Sequence, residues 1–175
     1  MSGHSKWSTI KHKKALVDAK RGKEFSKLAR LIAVESKLAN GDINSPALKV
    51  VIGKAKAANM PKDNIERAVA KGAGGGGGEE CIMYELYGPG GVAILINTLT
   101  DNKNRTFPEI KHLLSKIGYQ LAEKGAAAWA FEKEGADWKA TTTVPIEDED
   151  TEKLATLVDA LEEHDDVESV YTNAE

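Results

Sequence analysis

The sequence predicts an α+β protein built in two parts. An N-terminal helical bundle (residues 1–71) is joined by a Gly-rich linker (72–80) to an α+β sandwich domain with an antiparallel-rich sheet (81–175). Three observations carry this expectation. Apolar residues up to residue 71 recur at the three- and four-residue steps of a helix face. Residues 72–78 then read Gly-Ala-Gly-Gly-Gly-Gly-Gly. Beyond them, short apolar runs alternate with Gly/Pro turn signals and further helical stretches, the pattern of strands and helices sharing one layer each.

The first helix is expected over Asp18–Ala39, with Phe25, Leu28, Ile32 and Ala39 on one face. Lys20, Lys23, Lys27, Arg30 and Lys37 fall on nearly the opposite face, a basic stripe beside an apolar one. Gly22 weakens its first turn, which puts Lys20 outside the helix. Ser45-Pro46 opens a second helix, because Ser caps free N–H groups and Pro gives up one that has no partner there. A third follows Met60-Pro61. The glycine run is not a phosphate loop, since no Lys-Ser/Thr follows it, and five consecutive glycines make a flexible joint. Ile82–Tyr87 and Val92–Thr98 flank Gly88-Pro-Gly-Gly91 and read as a hairpin. Thr106-Phe-Pro-Glu109 matches a capping box and opens a helix that stops at Gly118. Ala127–Glu132 and Lys139–Ile146 read as strands, Thr151–His164 as a helix and Val167–Thr172 as a closing strand.

Composition excludes several classes. With 41% hydrophobic and 29% charged residues the chain is an ordinary globular protein, neither disordered nor fibrous. Its apolar runs, such as Val92–Ile96, fall far below the roughly 20 residues of a membrane span. The start of the chain has no secretory or organelle-targeting pattern, and Cys81 is a lone cysteine, so a cytoplasmic protein without a membrane partner is expected.

The net charge of -3 hides a segregation. Residues 1–72 hold 16 Lys/Arg against 6 Asp/Glu, and residues 73–175 hold 8 against 21. Such asymmetry points to a polyanion-binding end, and nucleic acid is bound this way through phosphate neutralisation and counterion release. The candidate nucleic-acid contacts are Lys6, Trp7, Lys11, His12, Lys13, Lys14, Lys20, Arg21, Lys23, Lys27 and Arg30. Lysines hold the backbone, and Trp7 among them suits stacking on a base or, alternatively, closes the bundle core. His12 adds charge below a pKa of about 6.5. Tyr87 at the hairpin tip and Lys103, Asn104 and Arg105 in the polar loop after the second strand are candidates for a secondary RNA or protein contact; turn chemistry is the other reading of that loop. The stretch 147–168 carries 11 acidic residues against Lys153. It reads as a solvated helix face, as a repeller of phosphate, or as a surface that docks on the basic domain.

Several motifs resemble one family. Gly3-His4-Ser5-Lys6-Trp7, Ile10-Lys-His-Lys-Lys14, Lys20-Arg-Gly-Lys23 and Lys54-Ala-Lys-Ala-Ala-Asn-Met-Pro-Lys-Asp-Asn-Ile-Glu-Arg67 are similar to segments of the YebC family. So are Tyr87-Gly-Pro-Gly-Gly91, Leu99-Thr-Asp-Asn-Lys-Asn-Arg-Thr106, Phe131-Glu-Lys133 and Val170-Tyr-Thr-Asn173. That family comprises bacterial proteins named as probable transcriptional regulators and the mitochondrial translational activator of cytochrome c oxidase. Typical members insert a third domain after the stretch matching Phe131–Gly135; here Gly135 leads almost directly to Lys139-Ala-Thr-Thr-Thr-Val144, so the chain resembles a short, two-domain member. The resemblance implies a non-enzymatic regulator of gene expression that binds promoter DNA, or ribosomal or transfer RNA on the ribosome.

Two rivals remain at this level. An enzyme needs a base beside a nucleophile or metal, and His4, His12, His112, His164 and Cys81 show no spacing that gathers them. No catalytic residue, metal site or cofactor is therefore assigned. A protein-interaction or small-molecule-sensing module would instead act through the α+β domain.

Overall fold

A computed structural model describes residues 18–75, 78–135 and 137–175, with side chains from residue 22 onward. The helical part holds α1 (Asp18–Leu38), α2 (Pro46–Ala57) and α3 (Lys62–Ala73). Leu31, Ile32, Leu48, Val51, Ala55, Met60, Ile65 and Ala68 form its core. The expected Pro46 start holds, and α1 runs through Lys20. α3 continues through Gly72 and Ala73, into the segment read as linker. Gly72 is buried there because α3 crosses α1 at that point: a Cβ on it would lie 2.1 Å from the Ala33 carbonyl oxygen.

The second part holds β1 (Glu80–Tyr87), β2 (Ala93–Thr100), α4 (Lys103–Lys116), β3 (Phe131–Glu134), β4 (Asp137–Ala140), α5 (Asp148–Glu162) and β5 (Val167–Thr172). It is α+β and antiparallel, in the element order that the sequence predicts. β1, β2 and β5 form one sheet with β2 in the centre, while β3 and β4 form a separate hairpin. β2 is buried on both faces. Ile94 and Ile96 meet Ile110, Leu114, Leu154, Leu157 and Leu161 of α4 and α5, and Ala93 and Leu95 meet Ala127, Ala130 and Phe131 on the hairpin side. A central strand covered twice reads as a continuous apolar run, as Val92–Ile96 does.

Three local expectations are corrected. α4 starts at Lys103, not at Thr106: Asn102 is its N-cap, accepting from the Asn104 N–H at 3.1 Å. Thr106 is fully buried one turn in, where its Oγ1 donates to Asp166 Oδ2 at 2.7 Å, and this tertiary bond outweighs the local capping pattern. Ala128–Ala130 is a 3₁₀ turn before β3 rather than strand. Glu85 pulls it in: its carboxylate accepts the N–H groups of Gly125, Ala127 and Ala128 at 2.6, 2.7 and 2.8 Å. β4 ends at Ala140 instead of reaching Ile146; beyond it only Val144 bridges to Ala174, next to Pro145, which has no N–H for a ladder.

Candidate nucleic-acid interface and the domain junction

Six of the expected nucleic-acid contacts, Lys6, Trp7, Lys11, His12, Lys13 and Lys14, lie outside the described residues. Lys20 and Arg21 occupy the first turn of α1, with side chains outside the description. The remaining three, Lys23, Lys27 and Arg30, share one face of α1, and that face looks onto the second domain.

Lys23 and Lys27 reach the C-terminal end of α5. Lys23 Nζ donates to the Glu163 carbonyl and lies 3.2 Å from Asp165, and Lys27 Nζ donates to the Glu162 carbonyl at 2.6 Å. Cations are favoured at this end of a helix because its last carbonyls are unpaired and its dipole is negative there. Arg30 spreads its guanidinium over four acceptors: Glu79 Oε1 and the Asp165 carbonyl at 2.9 Å, the Leu99 carbonyl at 2.7 Å, and Asp166 Oδ1 at 3.4 Å. From α2, Lys54 pairs with Asp137 at the start of β4, which also accepts from the Tyr171 hydroxyl at 2.9 Å. The acidic stretch thus docks on the basic stripe, one of the readings its composition left open.

Two carboxylates at this junction behave oppositely. Burial raises the Asp166 carboxyl, but hydrogen bonds from Thr106 and Arg105 and the charges of Arg105 and Arg30 outweigh it and hold it below the usual range. Glu168 is the unpaired residue of a β-bulge: Asn97 faces Ser169 and Thr98 faces Val167. The bulge turns Glu168 toward the junction, where its Oε1 has no hydrogen-bond partner among the described residues. Burial pushes this carboxyl up to about 8, against the pull of Lys27 and Arg30. No single-sequence signal marks Glu168, because a bulge is a property of the pairing.

Arg105 is committed to Asp166 at 2.7 Å, with Asp101 at 3.3 Å. Lys103 and Asn104 are exposed on the first turn of α4. Tyr87 is 41% exposed and anchored: its hydroxyl donates to the Ala126 carbonyl at 2.5 Å and accepts from Trp129 Nε1 at 2.8 Å. The structure therefore separates Tyr87, at one end of β1, from Lys103–Arg105. The structure also gathers cations outside the expected set. Lys49, Lys56 and Lys62 rim an apolar groove of about 680 Å³ between α2 and α3, floored by Ile52, Met60, Ile65 and Val69. The seven-residue spacing of Lys49 and Lys56 was the available signal.

Glu109, His164 and Asp166 present ligand-type atoms within 4.8 Å of one another. Their chemistry is that of a hydrogen-bond relay. His164 Nδ1 accepts the Asp166 N–H at 3.1 Å, so Nε2 carries the proton and donates to Glu109 at 3.0 Å, while Arg105 occupies Asp166. A guanidinium at 2.7 Å from one ligand oxygen opposes a cation there. Desolvation, with Glu35 and Glu168 nearby, pushes the Cys81 thiol up to about 11, so it is protonated at neutral pH and a poor nucleophile.

Residues 5–75 match the family model described as the TACO1/YebC protein N-terminal domain, and residues 79–136 and 134–174 match that of the TACO1/YebC second and third domain. The chain belongs to the TACO1/YebC family. Among its relatives, a "Probable transcriptional regulatory protein" of Pelotomaculum thermopropionicum is 41% identical over 240 aligned positions, covering all of this chain and 99% of that protein. One of Desulforapulum autotrophicum is 53% identical over 154 residues, covering 86% of this chain and 61% of the relative. The crystal structure of a conserved hypothetical protein from Aquifex aeolicus superposes with a TM-score of 0.81 at 35% identity, covering 98% of this chain and 97% of that one. The 240 aligned positions exceed the 175 residues here, and the family match breaks at residues 134–136. This is a short family member. Gly135, directly after β3, has φ +65°, a backbone geometry that favours glycine. The relatives' names are those of regulators, and among the described residues no helix is long and apolar enough to cross a membrane.

Proposed function

We propose that this YebC-type protein is a cytoplasmic, non-enzymatic regulator of gene expression that binds nucleic acid through its basic N-terminal part. The segregation of charge carries the reading: 16 Lys/Arg against 6 Asp/Glu up to residue 72. Solubility does not require cations to be gathered on one half, whereas phosphate binding does. Lys6, Lys11, His12, Lys13, Lys14, Lys20 and Arg21 contact the backbone, with Trp7 available for one base. Lys23, Lys27 and Arg30 extend this surface, and bound phosphate competes for them with the α5–β5 turn. Lys103, Asn104 and Arg105 at the start of α4, and separately Tyr87 at the far end of β1, belong to secondary contacts on the α+β domain.

Of the two targets, ribosomal or transfer RNA and promoter DNA, the deciding experiment is crosslinking in growing cells, denaturing purification, and separate sequencing of attached RNA and DNA. Focused ribosomal or transfer RNA crosslinks mean a translation factor. Promoter peaks without them mean a transcriptional regulator. In vitro, log affinity for duplex DNA falls with log salt at about -0.9 per phosphate neutralised. Flat salt dependence refutes electrostatic binding.

A further inference from the structure

Phe107 lies outside the buried core and outside the basic surface. It sits on α4, whose inward positions are Thr106, Ile110 and Leu114, and it is 44% exposed. Its ring lies against Tyr84 of β1, with centroids 6.0 Å apart and planes tilted by 40°. β1 is an edge strand, so no further strand of the sheet covers this pair. The two rings, with Ile82 and Pro108, wall a concavity of about 450 Å³, and Lys103 and Asn104 complete it. Lys103 and Asn104 precede Phe107 by four and three residues, which puts all three on one face of the helix. Lys103 has no ion pair among the described residues, unlike Arg105, which is held by Asp166.

Each member suits one part of a nucleotide. An exposed aromatic face stacks on any base, and stacking of this kind is how unpaired strands are held without reading their sequence. The Asn104 side-chain amide offers both donor and acceptor to a base edge. The Lys103 ammonium serves the adjoining phosphate. Bases inside a duplex are already stacked and present no free face.

We propose that Tyr84, Phe107, Lys103 and Asn104 form a pocket for one unpaired nucleobase of a single-stranded nucleic acid, with Lys103 on its phosphate. This rests on the nucleic-acid reading above and adds the form of strand that the α+β domain takes. It also assigns to Phe107 and Tyr84 a role that the Lys103–Arg105 motif alone does not reveal.

The test uses the full chain and fluorescein-labelled 12-nucleotide RNA and DNA single strands, with the matching duplexes as controls. Phe107→Ala lowers affinity for single strands about 5- to 150-fold, the range for losing one stacked base, and leaves duplex affinity unchanged. Phe107→Trp retains single-strand binding, and ultraviolet crosslinks map to Phe107 or Tyr84. A larger loss on RNA than on DNA identifies RNA as the source of the base; equal losses mean that the base alone is read. Unchanged single-strand affinity in Phe107→Ala, while binding stays salt-dependent, overturns the pocket and leaves the electrostatic reading intact. An equal loss on single strands and duplexes overturns it too. So does a concentration-dependent mass that Phe107→Ala abolishes, which means that a second copy covers the patch. Absence of all nucleic-acid binding by the wild type refutes the proposed function itself.

Discussion

Replacing Gly72 by Ala pits a favourable local effect against an unfavourable tertiary one. Ala is the better helix former by about 1 kcal/mol in a helix interior. At this position, however, the new methyl would lie 2.1 Å from the Ala33 carbonyl oxygen and 2.7 Å from Ser36 Cβ. A backbone carbonyl cannot rotate aside as a side-chain end does, so α1 and α3 must part. Parting strains the 2.7 Å bond from Ser36 Oγ to the Val69 carbonyl and loosens the bundle core that both helices share. Overpacking costs about 1–3 kcal/mol, and losing one buried hydrogen bond about 1 kcal/mol more, so the net loss is about 1–3 kcal/mol after the gain in propensity. Gly53→Ala is the internal control. Gly53 is exposed in the middle of α2 with nothing within 4 Å of a built Cβ, so the same substitution stabilises by about 0.5–1 kcal/mol. Urea unfolding followed by far-ultraviolet circular dichroism measures both. Opposite signs are expected; a Gly72→Ala protein as stable as wild type would falsify the packing argument.

Three further outcomes follow from the junction and the sheet. Glu85→Ala leaves the N–H groups of Gly125, Ala127 and Ala128 without their acceptor and lowers stability by about 2–4 kcal/mol in denaturant titration; a loss under 0.5 kcal/mol contradicts the role given to this carboxylate. Burial raises the Glu85 carboxyl, but those three bonds hold it below its ordinary value, so their contribution is present above about pH 4.5 and fades as pH falls further. Glu168 has the opposite sign: its raised carboxyl gives stability that is complete below about pH 4.5 and lost as pH rises through about 8. Glu168→Gln therefore flattens the fall in melting temperature between pH 5 and 8.5 and raises the value at pH 8.5; an unchanged slope refutes this. Arg30→Met removes the bonds to Glu79, Leu99, Asp165 and Asp166, and hydrogen exchange should accelerate at Leu99–Thr100 and around Asp166 while the α2–α3 amides stay protected. Uniform protection in that variant means that Arg30 does not hold the two parts together.

The helices and strands were legible because each rests on a local pattern. Pro46 after Ser45, the apolar steps of α5 and the two apolar runs around Gly88–Gly91 each specify an element within a dozen residues. Local patterns fail where a distant partner overrides them. Thr106 looks like a cap and is drawn inside by Asp166, 60 residues on, and the Ala127 stretch looks like a strand but is drawn into a turn by Glu85. Lys23, Lys27 and Arg30 form a basic stripe on any helical wheel, but only the docking of the second part of the chain gives them protein acceptors, at the end of α5, the turn to β5, β2 and Glu79.

By itself, then, the sequence determined the secondary elements, the family and the division of charge between the two halves, since all three are written in residue type and spacing. Tertiary structure alone decided which charges face one another across the junction, that Glu168 is buried by a bulge, and that Tyr84 meets Phe107. Those depend on contacts between residues far apart in the chain, and in a single sequence nothing but folding brings them together.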